Sequence, residues 1–319
     1  MSVFDAIGFV MTDKCSAECG ICCFSCSPRN NTVLDKEVIK DYIRQAHELG
    51  GIRIIAFTGG EAIMYFEQLR ECMACAHEFG MKTTLVTNGF WARDVQRGIE
   101  MMRELAASGL SKVSFSVDSY HQEYVSYETV ASAVKICERL GIAQDIAIME
   151  VADGHNLREV MDNLRGELYN KEITVYPLLA VGAAAENISD DQIIRECVAE
   201  DASCPFIKCI SFFYDGTIQI CCSQFSKEIS MVRLGTFGKT SLNDAISAFH
   251  DNDFIYVLFK RYFKWYVEAA KNNGIPVAEK YSTPCELCHY LFTNKGFVET
   301  LRPLVKKEAD RLRIEKLFQ

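Results

Sequence analysis

Cys15-Ser16-Ala17-Glu18-Cys19-Gly20-Ile21-Cys22 follows directly on a short apolar run, Ala6–Met11, that reads as a strand. The stretch therefore puts three thiols on the loop that leaves the carboxyl end of a first strand. Spaced CxxxCxxC, three thiolates can wrap one corner of a 4Fe–4S cube and leave its fourth iron without a protein ligand, whereas most electron-transfer clusters take four cysteines. On spacing alone, a zinc site or a packed cluster of thiols stays open as the alternative.

Outward from that loop, short apolar runs alternate with longer amphipathic ones as far as about residue 180. The predicted strands are Ala6–Met11, Ile52–Thr58, Lys82–Thr87, Lys112–Val117, Asp145–Glu150 and Ile173–Leu179. Between them the predicted helices are Leu34–Leu49, Tyr65–Phe79, Val95–Ala107, Tyr127–Leu140 and Leu157–Leu168. Units of roughly 25–35 residues are the size of repeated β-α elements that build a parallel sheet. Six strands are too few for a closed eight-stranded barrel and suit an open, partial (β/α)6 TIM-like barrel of the α/β class over residues 1–182. In such barrels chemistry gathers at the carboxyl ends of the strands. Thr58-Gly59-Gly60-Glu61 falls at such an end. Paired glycines let backbone approach a ligand closely, and Glu61 can hold an ammonium group. A plain strand-to-helix turn would use the same residues.

Past Ala180 the rhythm changes, and residues 183–319 read as a second, smaller module. Val181-Gly182-Ala183-Ala184-Ala185 leads into an acidic helical stretch, then Cys204-Pro205 and a hairpin, Ser211–Tyr214 and Thr217–Cys221, turning at Asp215-Gly216. A helical region at 242–272, Cys285-Glu286-Leu287-Cys288 and a basic C-terminal helix complete the chain. Cys204, Cys221, Cys285 and Cys288 make a closed set of four cysteines that suits a second 4Fe–4S cluster and that zinc would also accept. Cys222 follows Cys221, and adjacent strand residues point to opposite faces, so its thiol turns away from that set. A buried structural cysteine is the competing reading of Cys222.

Of the 319 residues 15 are cysteine, and the net charge is −9. The acidic balance argues against nucleic acid or an anionic membrane as partner. Met1–Asp13 lacks the basic start and apolar core of a signal peptide, and no apolar run is long enough to span a bilayer. The expected location is the reducing cytoplasm, where clustered cysteines more often bind metal than form disulfides.

Together, CxxxCxxC and Gly59-Gly60-Glu61 resemble the radical S-adenosylmethionine (SAM) superfamily over roughly residues 4–180. The resemblance implies that Cys15, Cys19 and Cys22 ligate a cluster whose open iron is chelated by the amino and carboxylate groups of SAM. It implies that Gly59, Gly60 and Glu61 contact the SAM amino group, and that Asn88, Ser116 and Asp118 supply further SAM contacts. Ile21 departs from the aromatic usual at its position, which loosens adenine stacking; Phe24 stands nearby to compensate. The C…GxxxxC…CxxC layout resembles the twitch domain, which carries an auxiliary 4Fe–4S cluster in SAM enzymes that modify peptides.

A closer resemblance, to the epipeptide epimerases of YydG type, rests on Cys22-Cys23-Phe24-Ser25-Cys26-Ser27-Pro28, Asn88-Gly89-Phe90-Trp91, Val181-Gly182-Ala183-Ala184, Cys221-Cys222-Ser223 and Phe263-Lys264-Trp265. It implies conversion of L- to D-residues in a ribosomally made precursor peptide, with Cys222 returning a hydrogen atom to the substrate radical. A flavodoxin- or ferredoxin-like electron donor goes with it. The competing enzymatic reading is thioether or carbon–carbon cross-linking of such a peptide; the non-enzymatic one is an iron–sulfur electron carrier or redox sensor. Cys72, Cys75, Cys137 and Cys197 read as core. Cys209 falls outside the second motif, and Cys23 and Cys26 take no assigned role. His121 reads equally as a SAM or substrate contact and as a solvated loop residue. The aromatic stretch at 263–266 reads as helix packing.

Overall fold

The computed structural model describes residues 4–204 and 207–316. The N-terminal part alternates β1 (Ala6–Val10), α1 (Lys36–Leu49), β2 (Ile54–Thr58), α2 (Phe66–Glu78), β3 (Lys82–Thr87), α3 (Val95–Ala107), β4 (Leu110–Ser116), α4 (Ser119–Gln122), α5 (Tyr127–Arg139), β5 (Ala143–Glu150), α6 (His155–Leu164) and β6 (Glu172–Pro177). Neighbouring strands from β1 to β6 all pair in parallel. The α/β fold with a parallel core expected from the β-α rhythm is present, with helices following at the C-terminus. Helix α1 illustrates why these segments form. Asp35 caps it by accepting from the Glu37 and Val38 N–H groups, Gly50 at φ 69° ends it, and Ile39, Tyr42, Ile43 and Ala46 give one buried stripe.

Beyond β6 come α7 (Ala183–Asn187), β7 (Cys197–Val198), β8 (Cys209–Phe213), β9 (Thr217–Gln219), β10 (Arg233–Thr236), α8 (Leu242–Asp251), α9 (Asp253–Asn272), β11 (Lys280–Tyr281), α10 (Pro284–Thr293) and α11 (Lys295–Lys316). The expected hairpin, β8–β9, does not stand apart, and its second strand ends at Gln219 rather than Cys221, so strand alternation does not set the directions of Cys221 and Cys222. Strand β8 pairs in parallel with β1, with Ala6 opposite Cys209 and Val10 opposite Phe213. One nine-stranded sheet results, in the order β10-β9-β8-β1-β2-β3-β4-β5-β6. A second, two-stranded sheet joins β7 to β11.

The two faces of this sheet differ in size of side chain. Towards the helices, Phe9 stacks on Phe57 and Phe212 at 5.8 and 4.9 Å, and Tyr42 of α1 covers Phe212 at 4.4 Å. On the concave face Gly8 lies against Cys209, Ser211 and Ala56. Large residues outside and small ones inside leave room within the barrel.

Two expectations differ in detail. The acidic stretch after Ala183 is α-helical only as far as Asn187, followed by one 3-10 turn at Asp190–Gln192. The 242–272 region is two helices, because Asn252 leaves helical geometry to cap α9 through the Ile255 N–H, and α9 is itself kinked at Tyr262, φ 59°. Among the described residues no helix is long and apolar enough to cross a membrane.

Candidate functional site

The loops that carry the sequence motifs meet at the carboxyl ends of β1 to β4. Gly60 N–H donates to Thr12 O at 2.7 Å and Glu61 N–H to Lys14 O at 2.8 Å. A Cβ at Gly60 would stand 2.2 Å from the Lys14 carbonyl oxygen, and one at Gly59, φ 153°, 2.7 Å from that of Thr12. The close approach that needs the two glycines is therefore to the backbone of the cysteine loop itself. From the other side Ala183 N–H donates to Cys22 O at 3.0 Å, and a Cβ at Gly182, φ 63°, would lie 2.4 Å from Cys23 O. Beneath the loop a small apolar cluster joins Ala17, Cys19 and Ile21 to Val151, Leu178, Ala184 and Ile193.

Cys15, Cys19 and Cys22 come together. Burial pushes the Cys15 thiol up to about 12, helped by Glu61 and then Cys22. Burial also raises Cys19, with Cys15 and Cys22 next in weight. Cys22 is drawn down, first by a hydrogen bond with the Cys26 side chain, and the Cys26 N–H donates to its sulfur at 3.3 Å. Cys26 is thereby the group that holds Cys22 in place.

Glu61 is wholly buried at the centre of this arrangement. Its Oε2 accepts from Thr87 Oγ1 and from the Asn88 N–H, each at 3.0 Å, while Oε1 has no partner. Burial lifts its carboxyl to about 7 against the pull of those hydrogen bonds. A buried carboxylate oxygen with an open lone pair fits a cationic ligand group.

Asn88 donates to Ser16 Oγ at 3.1 Å and ties the end of β3 to the cysteine loop. Ser116 is the last residue of β4. Asp118, wholly buried, caps α4 and accepts from His121 Nδ1 at 2.8 Å and the Met149 N–H at 3.4 Å. Burial pulls the His121 pKa down, but Asp118, then Cys22 and Glu61, turn the net shift upward. His121 is thus held by Asp118 with its side chain 19% exposed, not a freely solvated loop residue. Phe24 turns elsewhere: its ring meets Phe213 at 6.1 Å and Tyr214 at 6.4 Å on the hairpin.

Thiols of the second group lie within electrostatic reach of one another, although Pro205, part of its first motif, lies outside the described residues. Burial, then Cys204, raises Cys221 to about 12. Cys288 is raised by burial and then by Cys221, Cys204 and Cys285. Among the described residues no three His, Cys, Asp or Glu side chains close around a point as ligands of one metal ion would. Cube clusters instead spread their thiolates over separate irons.

Cys222 is half-buried, and burial holds its thiol well above the ordinary range, followed by Cys221, Cys209, Cys285 and Cys23. Its electrostatic neighbours thus come from both the second set and the loop that follows Cys22. Sequence spacing gave no reason to include Cys209, whose sulfur lies on the concave face beside Gly8. Only the β8–β1 pairing brings it there. Cys197, expected in the core, is half-buried within the electrostatic reach of Cys285. Cys72, Cys75 and Cys137 are core residues, and Phe263 packs at 1% exposure.

Residues 9–165 match the model of the Radical SAM superfamily. The chain carries a radical SAM domain. As a whole this radical SAM enzyme is 26% identical to the putative peptide biosynthesis protein YydG of Bacillus subtilis (strain 168) over 308 residues, 93% of this chain and 95% of that one. A shorter match, 27% over 146 residues, covers 42% of the chain and 39% of a GTP 3′,8-cyclase from Rhodococcus opacus (strain B4). In fold the enzyme is similar to native anSMEcpe with bound AdoMet and Kp18Cys peptide, at a TM-score of 0.59, 14% identity, and coverage of 96% of this chain and 99% of that one. It is similar also to BtrN in complex with AdoMet and 2-DOIA, at a TM-score of 0.50, 15% identity, and coverage of 88% and 99%.

Proposed function

We propose that this radical SAM enzyme is a peptide epimerase that converts L- to D-residues in a ribosomally made precursor peptide. In this reading residues 1–182 form the SAM-binding partial barrel and residues 183–319 a twitch-like module. Cys15, Cys19 and Cys22 hold the SAM cluster; Cys204, Cys221, Cys285 and Cys288 hold an auxiliary 4Fe–4S cluster. The protein works in the cytoplasm with a flavodoxin- or ferredoxin-like electron donor, and without nucleic acid or membrane.

The observation that carries the reading is the state and place of Cys222. A hydrogen-atom donor must keep its S–H, and burial holds this thiol protonated through the physiological range. Its neighbours include Cys23 on the barrel-mouth loop and Cys209 on the concave face, which favours a position bordering the barrel interior. The peptide similarity of the B. subtilis relative points to the same substrate class.

When bound, SAM and its cluster supply a primary carbon radical able to take the hydrogen of a peptide Cα–H bond. The chain's own residues bind, orient and finish the reaction. Glu61 Oε1 would accept from the SAM ammonium, and Gly59 and Gly60 hold its turn against the cysteine loop. Asn88, Ser116 and Asp118 line the same mouth, with Asp118 setting the orientation of His121. Cys222 then gives its hydrogen atom to the flattened Cα from the opposite face. The S–H bond breaks, a C–H bond forms, and the sulfur needs one electron and one proton to recover. Adjacency in sequence to Cys221, which would hold the auxiliary cluster, supports that cluster as the electron source.

The direct test is Cys222→Ala with the peptide encoded by a short reading frame beside the gene. The variant is expected to cleave SAM to 5′-deoxyadenosine and to make no D-residue. D-residues formed at the native rate by Cys222→Ala would rule the proposal out.

A further inference from the structure

The two clusters of thiols lie on different parts of the chain, and one segment runs between them. Residues 184–193 contribute Ala184 and Ile193 to the apolar cluster under Cys19 and Ile21. The same segment is tied to the end of β5, where the Ala152 N–H donates to Gln192 O at 2.9 Å. Two residues past Ile193, Arg195 leaves the segment and meets Glu286, the first residue between Cys285 and Cys288. Both Arg195 Nε and Nη2 donate to Glu286 Oε1 at 3.3 Å, and Nη2 also donates to Asp190 Oδ1 at 2.6 Å. Cys197 and Val198 then pair with Tyr281 and Lys280 just before α10 begins.

Glu286 is more than an ion-pair partner. Thr283 caps α10 and accepts from the Cys285 and Glu286 N–H groups at 3.2 and 3.4 Å. Glu286 Oε2 reaches back to accept from the Ser282 N–H at 2.5 Å. Thr-Pro-Cys-Glu is thus a variant capping box in which one carboxylate oxygen fixes the turn before the helix. The other oxygen is committed to Arg195. An exposed ion pair contributes little by itself. This one is charge-assisted, and one of its members sits between two thiols of the second set while clamping the turn that leads into them.

We propose that Arg195 and Glu286 are a positioning pair that registers the Cys285–Cys288 turn against the strap from the SAM-cluster loop. The pair holds the auxiliary cluster in a fixed place relative to the barrel mouth and Cys222. Neither residue belongs to the set proposed for SAM binding or hydrogen return. The inference rests on the reading of Cys204, Cys221, Cys285 and Cys288 as ligands of a second cluster.

The test uses the full-length, anaerobically reconstituted enzyme, together with a Cys15→Ala, Cys19→Ala, Cys22→Ala form that retains only the second site. In that form Glu286→Gln and Arg195→Ala should each speed iron loss to a chelator about tenfold, the size expected for loss of one charge-assisted hydrogen bond. Each should also alter the electron paramagnetic resonance line shape of the reduced cluster. The double variant should be no worse than either single one, and Arg195→Lys should be intermediate. With Cys15, Cys19 and Cys22 intact, SAM cleavage should stay at the parent rate while D-residue per 5′-deoxyadenosine falls. Unchanged iron release, or additive effects of the two substitutions, would overturn the pairing. An iron-free parent of the three-alanine form would instead remove the second cluster, and the pairing with it.

Discussion

Glu61 carries one satisfied oxygen and one bare oxygen in a wholly buried setting. Its carboxyl titrates at about 7 in the folded protein, against 4.5 for the ordinary group, so between those values the folded chain binds more protons than the unfolded one. Stability of the cluster-free protein should therefore fall as pH rises from 4.5 to 7, by roughly 3 kcal/mol, and stay low above it. Comparing urea midpoints of native protein and Glu61→Gln across this range isolates the effect. The variant should lose that share of the slope and be the more stable protein at pH 8; equal slopes would remove burial as the cause. At this scale the motif residues were legible, because CxxxCxxC and Gly-Gly-Glu are local patterns. Cys209 and the orientation of His121 were not. Each depends on partners supplied by other elements: Gly8 on β1 for Cys209, and Cys22 and Glu61, beside its own N-cap Asp118, for His121.

Among the elements, the turn after β2 and the cysteine loop act as one unit, joined by two backbone hydrogen bonds across Gly59-Gly60-Glu61. Gly60→Ala would force a methyl to within 2.2 Å of the Lys14 carbonyl, which is backbone and cannot swing aside. The loop must move, and Cys15 with it. Iron analysis of reconstituted Gly60→Ala should show a deficit of one cluster and no SAM cleavage, while far-ultraviolet circular dichroism stays native. A full iron complement with normal cleavage would refute the coupling. Strands and helices of the barrel were readable within a few residues, since their period and caps are local. The break at Asn252 lay inside an apolar-periodic region, and there a capping side chain overrode periodicity.

For the whole molecule, the continuity of the sheet matters most. β8 covers the edge of β1 and brings Phe212 against Phe9 and Tyr42, so residues 1–182 alone would expose both the strand edge and part of the aromatic layer. A chain ending at residue 182 should accumulate as insoluble protein; a soluble, two-state folding fragment would show the barrel to be independent. The sequence marked a change of rhythm near residue 180 but not this pairing, because strand partners some 200 residues apart leave no local signature. That same pairing brings the hairpin that leads into Cys221 and Cys222 onto the barrel. The central claim, that a protein thiol returns the hydrogen, is tested most directly by running the native enzyme in deuterated water. Cys222 S–H exchanges with solvent, so the D-residue should carry one deuterium at Cα, and unlabelled D-residue would contradict the account.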